Sequence, residues 1–177
     1  MHPGSVRARL SRARRGLDAD ARLLQELAGQ SGGPRPRLPF ALSQPSLRAG
    51  WLFRLAAGGG RLGRFARNRL LSGHGCDVSP GAVFLGALHL PHPHGITIGI
   101  GAVIGERVAI YQGVTIGANQ AGRYPTIGDD VRLFPHCVVA GDVRIGDGAT
   151  VGAQAFVSRD VPAGAVTRGT APERGRT

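Results

Sequence analysis

Between residues 74 and 94 the chain places four of its six histidines, His74, His89, His92 and His94, with a carboxylate, Asp77, among them. A neutral imidazole takes a proton from a hydroxyl near pH 7, and a carboxylate on its far nitrogen fixes the tautomer and steadies the imidazolium that forms. Histidines also gather in threes around zinc. His89 and His94 form an H-x4-H pair, with His74 and His136 available as third ligands. On an extended segment, however, His92 and His94 fall on one face and His89 on the other, so no metal ligand is assigned. Thiol chemistry is not expected: Cys76 and Cys137 lie far apart, outside any CxxC, and read as small buried hydrophobes.

The elements that position these groups follow from a change of period. From about residue 77 a six-residue repeat sets in, with aliphatic residues at Ile98, Ile104, Ile110 and Ile116, then at Ile127, Leu133, Val139, Ile145, Val151 and Val157. The fifth place of each hexad is small or branched: Ala102, Val108, Val114, Val131, Cys137, Val143, Ala149, Ala155, Val161. Two inward positions per hexad suit a short flat strand and a turn, stacked rung on rung, with the aliphatic side chains filling a narrow axial core. The expected fold is mainly β, a left-handed parallel β-helix of hexapeptide repeats over residues 77–162. Between Ile116 and Ile127 the register breaks, so residues 118–126 (ANQAGRYPT) form a loop that leaves the rungs undisturbed. An earlier register through Val78, Phe84, Leu90 and Ile96 slips by two residues to Ile98, beside the histidines.

The N-terminal part has a different texture. Residues 5–28 set Leu10, Leu17, Leu23, Leu24 and Leu27 at helical spacing among charges. Residues 31–45 are rich in Pro and Gly and read as a linker that closes the basic segment 1–45. Residues 46–72 read as two short amphipathic helices broken at Gly58-Gly59-Gly60, and residues 163–177 as a tail. The formal net charge of +11 invites a nucleic-acid or membrane reading, but its distribution argues against one. Residues 1–76 hold fourteen arginines and three acids, whereas residues 77–177 balance eight with eight. No run of about 18 uncharged apolar residues is present to span a bilayer, and no apolar stretch follows the basic N-terminus, so a cytoplasmic protein is expected.

Two segments carry a family resemblance. Asp77-Val78-Ser79-Pro80 and His92-Pro93-His94-Gly95-Ile96, one coil apart, resemble the serine acetyltransferases and their close hexapeptide acyltransferase relatives. The likeness continues through Ile110-Tyr111-Gln112-Gly113-Val114-Thr115-Ile116-Gly117 and Arg123-Tyr124-Pro125-Thr126-Ile127, and ends at Gly169-Thr170-Ala171-Pro172. It implies an acetyl-CoA-dependent O-acetyltransferase with His92 as general base and Asp77 as its orienting carboxylate. Direct attack in a ternary complex is expected, with rung backbone N–H groups meeting the oxyanion. The resemblance also implies a homotrimer with sites between subunits, Arg123 and Tyr124 on the acceptor, and coenzyme A along Ala118, Pro135 and Ala153.

The sequence also departs from the family. Pro91 stands where serine acetyltransferases carry an acidic residue before the catalytic histidine, and Tyr124 replaces a histidine after the arginine. The final residues RGRT lack the C-terminal Ile used for docking to cysteine synthase, so that partnership is not expected. L-serine, in cysteine biosynthesis, is the acceptor the resemblance favours. A sugar, polysaccharide or natural-product hydroxyl is the alternative within the class, and a non-catalytic β-helix scaffold with a basic partner-binding arm is the alternative outside it.

Overall fold

In a computed structural model of the chain, residues 6–30 and 38–169 are described. Four helices precede a parallel β-solenoid: α1 (Val6–Leu27), α2 (Leu38–Ser43), α3 (Pro45–Ala57) and α4 (Gly60–His74). The first coil carries β1 (Asp77–Val78), β2 (Val83–Phe84) and β3 (Leu88–His89). The second carries β4 (Thr97–Ile98), β5 (Val103–Ile104) and β6 (Val108–Ile110). The third has β7 (Thr115–Gly117), β8 (Thr126–Ile127) and β9 (Arg132–Leu133). The fourth has β10 (Val138–Ala140), β11 (Arg144–Ile145) and β12 (Thr150–Val151). β13 (Phe156–Val157) and β14 (Val166–Thr167) finish it. Up to β13 every third strand stacks on the same face, and β14 joins β12 after an isolated bridge at Val161, giving three parallel sheets and the left-handed prism expected from the hexads.

All ten aliphatic hexad positions and all nine small partners lie in the buried core, each less than a tenth exposed. The two-residue slip has a clear structural origin. The coil from Asp77 to Thr97 is two residues longer than that from Thr97 to Thr115, and the surplus falls at the corner between β3 and β4. Ile96 thereby takes the inward place that Val114, Cys137 and Ala155 hold in later coils, and all four are buried.

The helices pack on the first coil rather than extending away from it. Leu17 and Leu23 of α1 are buried as expected, but Leu10 and Leu27 are exposed. The face that packs against α3 is made by Ala13, Leu17 and Ala21 with Asp20. Within the segment read as a linker, residues 38–43 form a helix and Pro45 opens α3. A proline at the first helical position gives up an N–H that would have had no partner there. The arginine excess is partly spent on this packing. Arg9 donates to the Gly59 carbonyl at 2.6 Å, and Arg54 reaches both oxygens of Asp20 at 2.7 and 2.8 Å. Asp20 also accepts the Leu88 backbone N–H at 2.7 Å, and Arg54 donates to the Gly86 carbonyl at 2.8 Å. One buried ion pair thus ties α1 and α3 to β3 and to the turn before it. Among the described residues, no helix is long and apolar enough to cross a membrane.

Candidate active site

Asp77 opens β1, and register places it at the foot of a column formed by Thr97, Thr115, Val138 and Phe156. These first strand residues face outward while Val78, Ile98, Ile116, Val139 and Val157 fill the prism, as alternation along a strand requires. The Asp77 backbone N–H donates to the Ile96 carbonyl at 2.8 Å, so the start of the first strand is fixed to the second coil.

His92 sits in the lengthened corner just before β4. Pro93 is buried there, and His92 and His94 on either side of it are exposed. An apolar plug flanked by two outward imidazoles is what the surplus length produces. The backbone closes on itself, with the His94 N–H donating to the His92 carbonyl at 2.8 Å and the Gly95 N–H to the His74 carbonyl at 3.0 Å. Gly95 has φ +65°, a left-handed conformation that glycine adopts without a Cβ penalty.

The carboxylate of Asp77 does not bond His92. Both of its oxygens are taken by Arg67 of α4, Nε to Oδ1 at 2.5 Å and one terminal nitrogen to Oδ2 at 2.8 Å. Hydrogen bonding from Arg67 is the main reason the Asp77 carboxyl is held below the usual carboxylate range. Sequence reasoning missed Arg67, which looked like one more cation on a polar helix face. Its position about two helical turns and a short link ahead of Asp77 was the available signal.

Pro135 and Ala153 lie on the same edge of the prism as His92, two and three coils further along. The Gly113 N–H donates to the His94 carbonyl at 2.8 Å, the His136 N–H to Gln112 at 3.0 Å and the Gln154 N–H to Pro135 at 3.0 Å. This ladder joins successive corners into a continuous edge. It also occupies those rung N–H groups, which are therefore not free to meet an oxyanion. Ala118, Arg123 and Tyr124 belong to a different corner, between β7 and β8. There Arg123 pairs with Asp142 at 3.1 Å, both largely exposed, and the Tyr124 ring lies over Gly99 and Gly101. A Cβ on either glycine would collide with that ring. One chain therefore carries the two groups of residues on separate edges.

Of the remaining histidines, His89 is half-buried in β3, and burial lowers its pKa. The His74 and His94 rings meet with centroids 5.6 Å apart. Cys76 and Cys137 are free and buried, and burial pushes the Cys137 thiol up to about 12, which keeps it unreactive.

Residues 124–159 match the family model for the bacterial transferase hexapeptide (six repeats). A serine acetyltransferase from Mycobacterium tuberculosis is 36% identical over 148 residues, covering 76% of this chain and 64% of its own length. The crystal structure of Neisseria gonorrhoeae serine acetyltransferase in complex with serine aligns with a TM-score of 0.73 at 30% identity, over 88% of this chain and 66% of that one. A serine acetyltransferase in complex with CoA shares the fold with a TM-score of 0.76 at 22% identity, over 90% of this chain and 68% of that one. The chain spans less than two thirds of the length of the curated relatives at the head of that comparison. The chain shares the left-handed β-helix fold of these structures and carries the hexapeptide-repeat transferase pattern over residues 124–159, and the proteins it resembles are serine acetyltransferases.

Proposed function

We propose that this protein is an O-acetyltransferase that moves an acetyl group from acetyl-CoA to the hydroxyl of a small acceptor, with L-serine the first candidate. The observation that carries the reading is the placement of His92, exposed on a lengthened corner, one coil above the outward carboxylate of Asp77. Similarity to serine acetyltransferases over most of the chain supports the same chemistry.

In this reading His92 takes the acceptor proton as the hydroxyl oxygen attacks the thioester carbonyl carbon. The tetrahedral adduct then collapses, the C–S bond breaks, and the imidazolium returns the proton to the leaving thiolate. The products are the O-acetyl ester and the free thiol. Asp77 orients the imidazole and steadies its charged form. An ionised carboxylate offers about four acceptor positions, so a pair already gripped by Arg67 retains capacity for an imidazole N–H.

Pro135 and Ala153, further along the His92 edge, are proposed to pass the pantetheine arm of coenzyme A, with Ala118 contributing from the other edge. Arg123 is proposed to meet an acceptor carboxylate and Tyr124 to offer a hydroxyl. Because these two stand on a different edge from His92, a site using both draws one set from a neighbouring copy. This requirement supports a homotrimer with sites between subunits.

The test is thiol release from acetyl-CoA with L-serine and with a panel of sugars and hydroxylated metabolites. Turnover with L-serine that disappears in His92→Ala, with the fold retained by circular dichroism, is the expected result. Full activity in that variant would overturn the base assignment. Turnover with a sugar alone would move the acceptor to the alternative that Pro91 and Tyr124 make specific.

A further inference from the structure

A cleft of about 480 Å³ opens within the helical region, and the reading above gives it no role. Its walls include Arg48 and Trp51 of α3, Phe65, Arg69 and Ser72 of α4, and His74 at the end of that helix. The volume lies in the range of clefts that hold small organic molecules.

Three features of the lining agree on a ligand chemistry. Arg48 and Arg69 both face the cleft, and among the described residues neither has a carboxylate within ion-pair distance. Two unneutralised guanidinium groups lining one cleft make an anion site. Trp51 and Phe65 supply an aromatic surface, and Phe65 is 61% exposed although it is large and apolar. His74 is only 8% exposed, yet its buried Nδ1 has no hydrogen-bond partner. Buried polar atoms in native proteins are almost always satisfied, so an orphan on a cleft wall points to a group that completes it. Burial first, then the charges of Arg48 and His94, lower the His74 pKa, which keeps the ring neutral at pH 7.

We propose that this cleft binds a small organic monoanion with an apolar body. The carboxylate lies between Arg48 and Arg69, beside the His74 imidazole, while the apolar part rests on Trp51 and Phe65. The charge of the lining selects an acid over a basic or neutral occupant. Residues 31–37 (SGGPRPR) carry two arginines and no acid, so their charge does not complement these walls. The proposal stands independently of the acetyl-transfer reading, because it concerns binding by residues outside the Asp77 and His92 pair.

Trp51 is the only tryptophan in the chain, which makes its fluorescence a direct reporter of the cleft. The full-length protein is titrated with 3-phenylpropionate, with the neutral 3-phenylpropan-1-ol, and with inorganic phosphate, at two protein concentrations. The expected result is a saturable change with 3-phenylpropionate and binding at least about tenfold weaker for the alcohol and for phosphate. Arg48→Ala, Arg69→Ala and His74→Phe each weaken 3-phenylpropionate by about tenfold, the scale of one lost charge-assisted hydrogen bond. Arg61→Ala, which removes an exposed charge from the same helix outside the cleft, leaves it unchanged. His74→Gln, which keeps a polar group, checks that loss in His74→Phe is not a failure to fold. Equal affinity for acid and alcohol, no saturation, or unchanged affinity in both arginine variants overturns the proposal. An apparent affinity that shifts with protein concentration assigns the cleft to a contact between copies and overturns it as well.

Discussion

Arg67 holds Asp77 through both carboxylate oxygens, at 2.5 and 2.8 Å, from the helix that leads directly into the first rung. The acid at the start of the solenoid is thus fixed by a cation that the same chain delivers ten residues earlier. Arg67→Ala should free the carboxylate to rotate and should lower kcat by about tenfold with little change in KM for acetyl-CoA, since orientation and not binding is lost. Arg67→Lys should recover only part of the rate, because an ammonium cannot match the two-pronged geometry. The Asp77 pKa is lowered from 3.8, so its pair is intact above that value and is lost only as pH falls through the lowered one. An acidic limb in the pH–rate profile of Arg67→Ala that the wild type lacks is the sign to measure.

The Asp20 and Arg54 pair is a structural clamp with side chains 2% and 9% exposed. Asp20→Ala should destabilise by about 3–5 kcal/mol in urea unfolding, because it leaves a buried guanidinium unpaired. It also strips the Leu88 N–H of its acceptor. Replacing both partners with Leu and Met should cost clearly less than the single change. Burial raises the Asp20 pKa despite Arg54, so this group favours the folded state toward low pH and its contribution falls as pH rises through the raised value.

His74 predicts the opposite slope. Its folded pKa is lowered from 6.5 by burial, by Arg48 and by His94, so the unfolded chain binds the proton more readily. Stability should fall as pH drops from about 6.5, and His74→Phe should flatten that limb. Unfolding free energies at pH 7.5 and 5.5 for the two proteins decide it, and an equal drop in both would refute the assignment.

The Tyr124 ring requires the two glycines beneath it. Gly101→Ala should cost about 1–3 kcal/mol as the ring is displaced. In a Tyr124→Ala background the same change should cost much less, and a double-mutant cycle by thermal unfolding measures the coupling.

How far the sequence anticipated this molecule depends on the range of the interaction. The rungs were legible because each inward residue repeats its own solution six places on, from Ile98 to Val157, and stacking neighbours satisfy one another. The slip at Ile96 was legible as a break, and the structure converts it into a longer corner carrying His92 and His94. The charged contacts were not legible. Asp20 and Arg54 sit on amphipathic helices whose charges ordinarily face water, and only the docking of α1 on α3 buries them. The pairing of Arg67 with Asp77 depends on the angle at which α4 enters the first rung, which no periodicity encodes. Leu10 and Leu27 mislead for a related reason, because the helix is longer than the surface it packs on.

The corners separate two jobs that most folds combine. Rung pitch is fixed by the stacked aliphatic residues, so residues can be added at a corner without shifting any rung, as the surplus beside His92 and the loop between β7 and β8 both demonstrate. A lineage built this way can change what it recognises by lengthening or trimming an edge while inheriting its core intact. The same modularity offers a route to redesign: exchanging the segment between Gly117 and Thr126 for one of another length should retune acceptor preference without a new folding problem to solve.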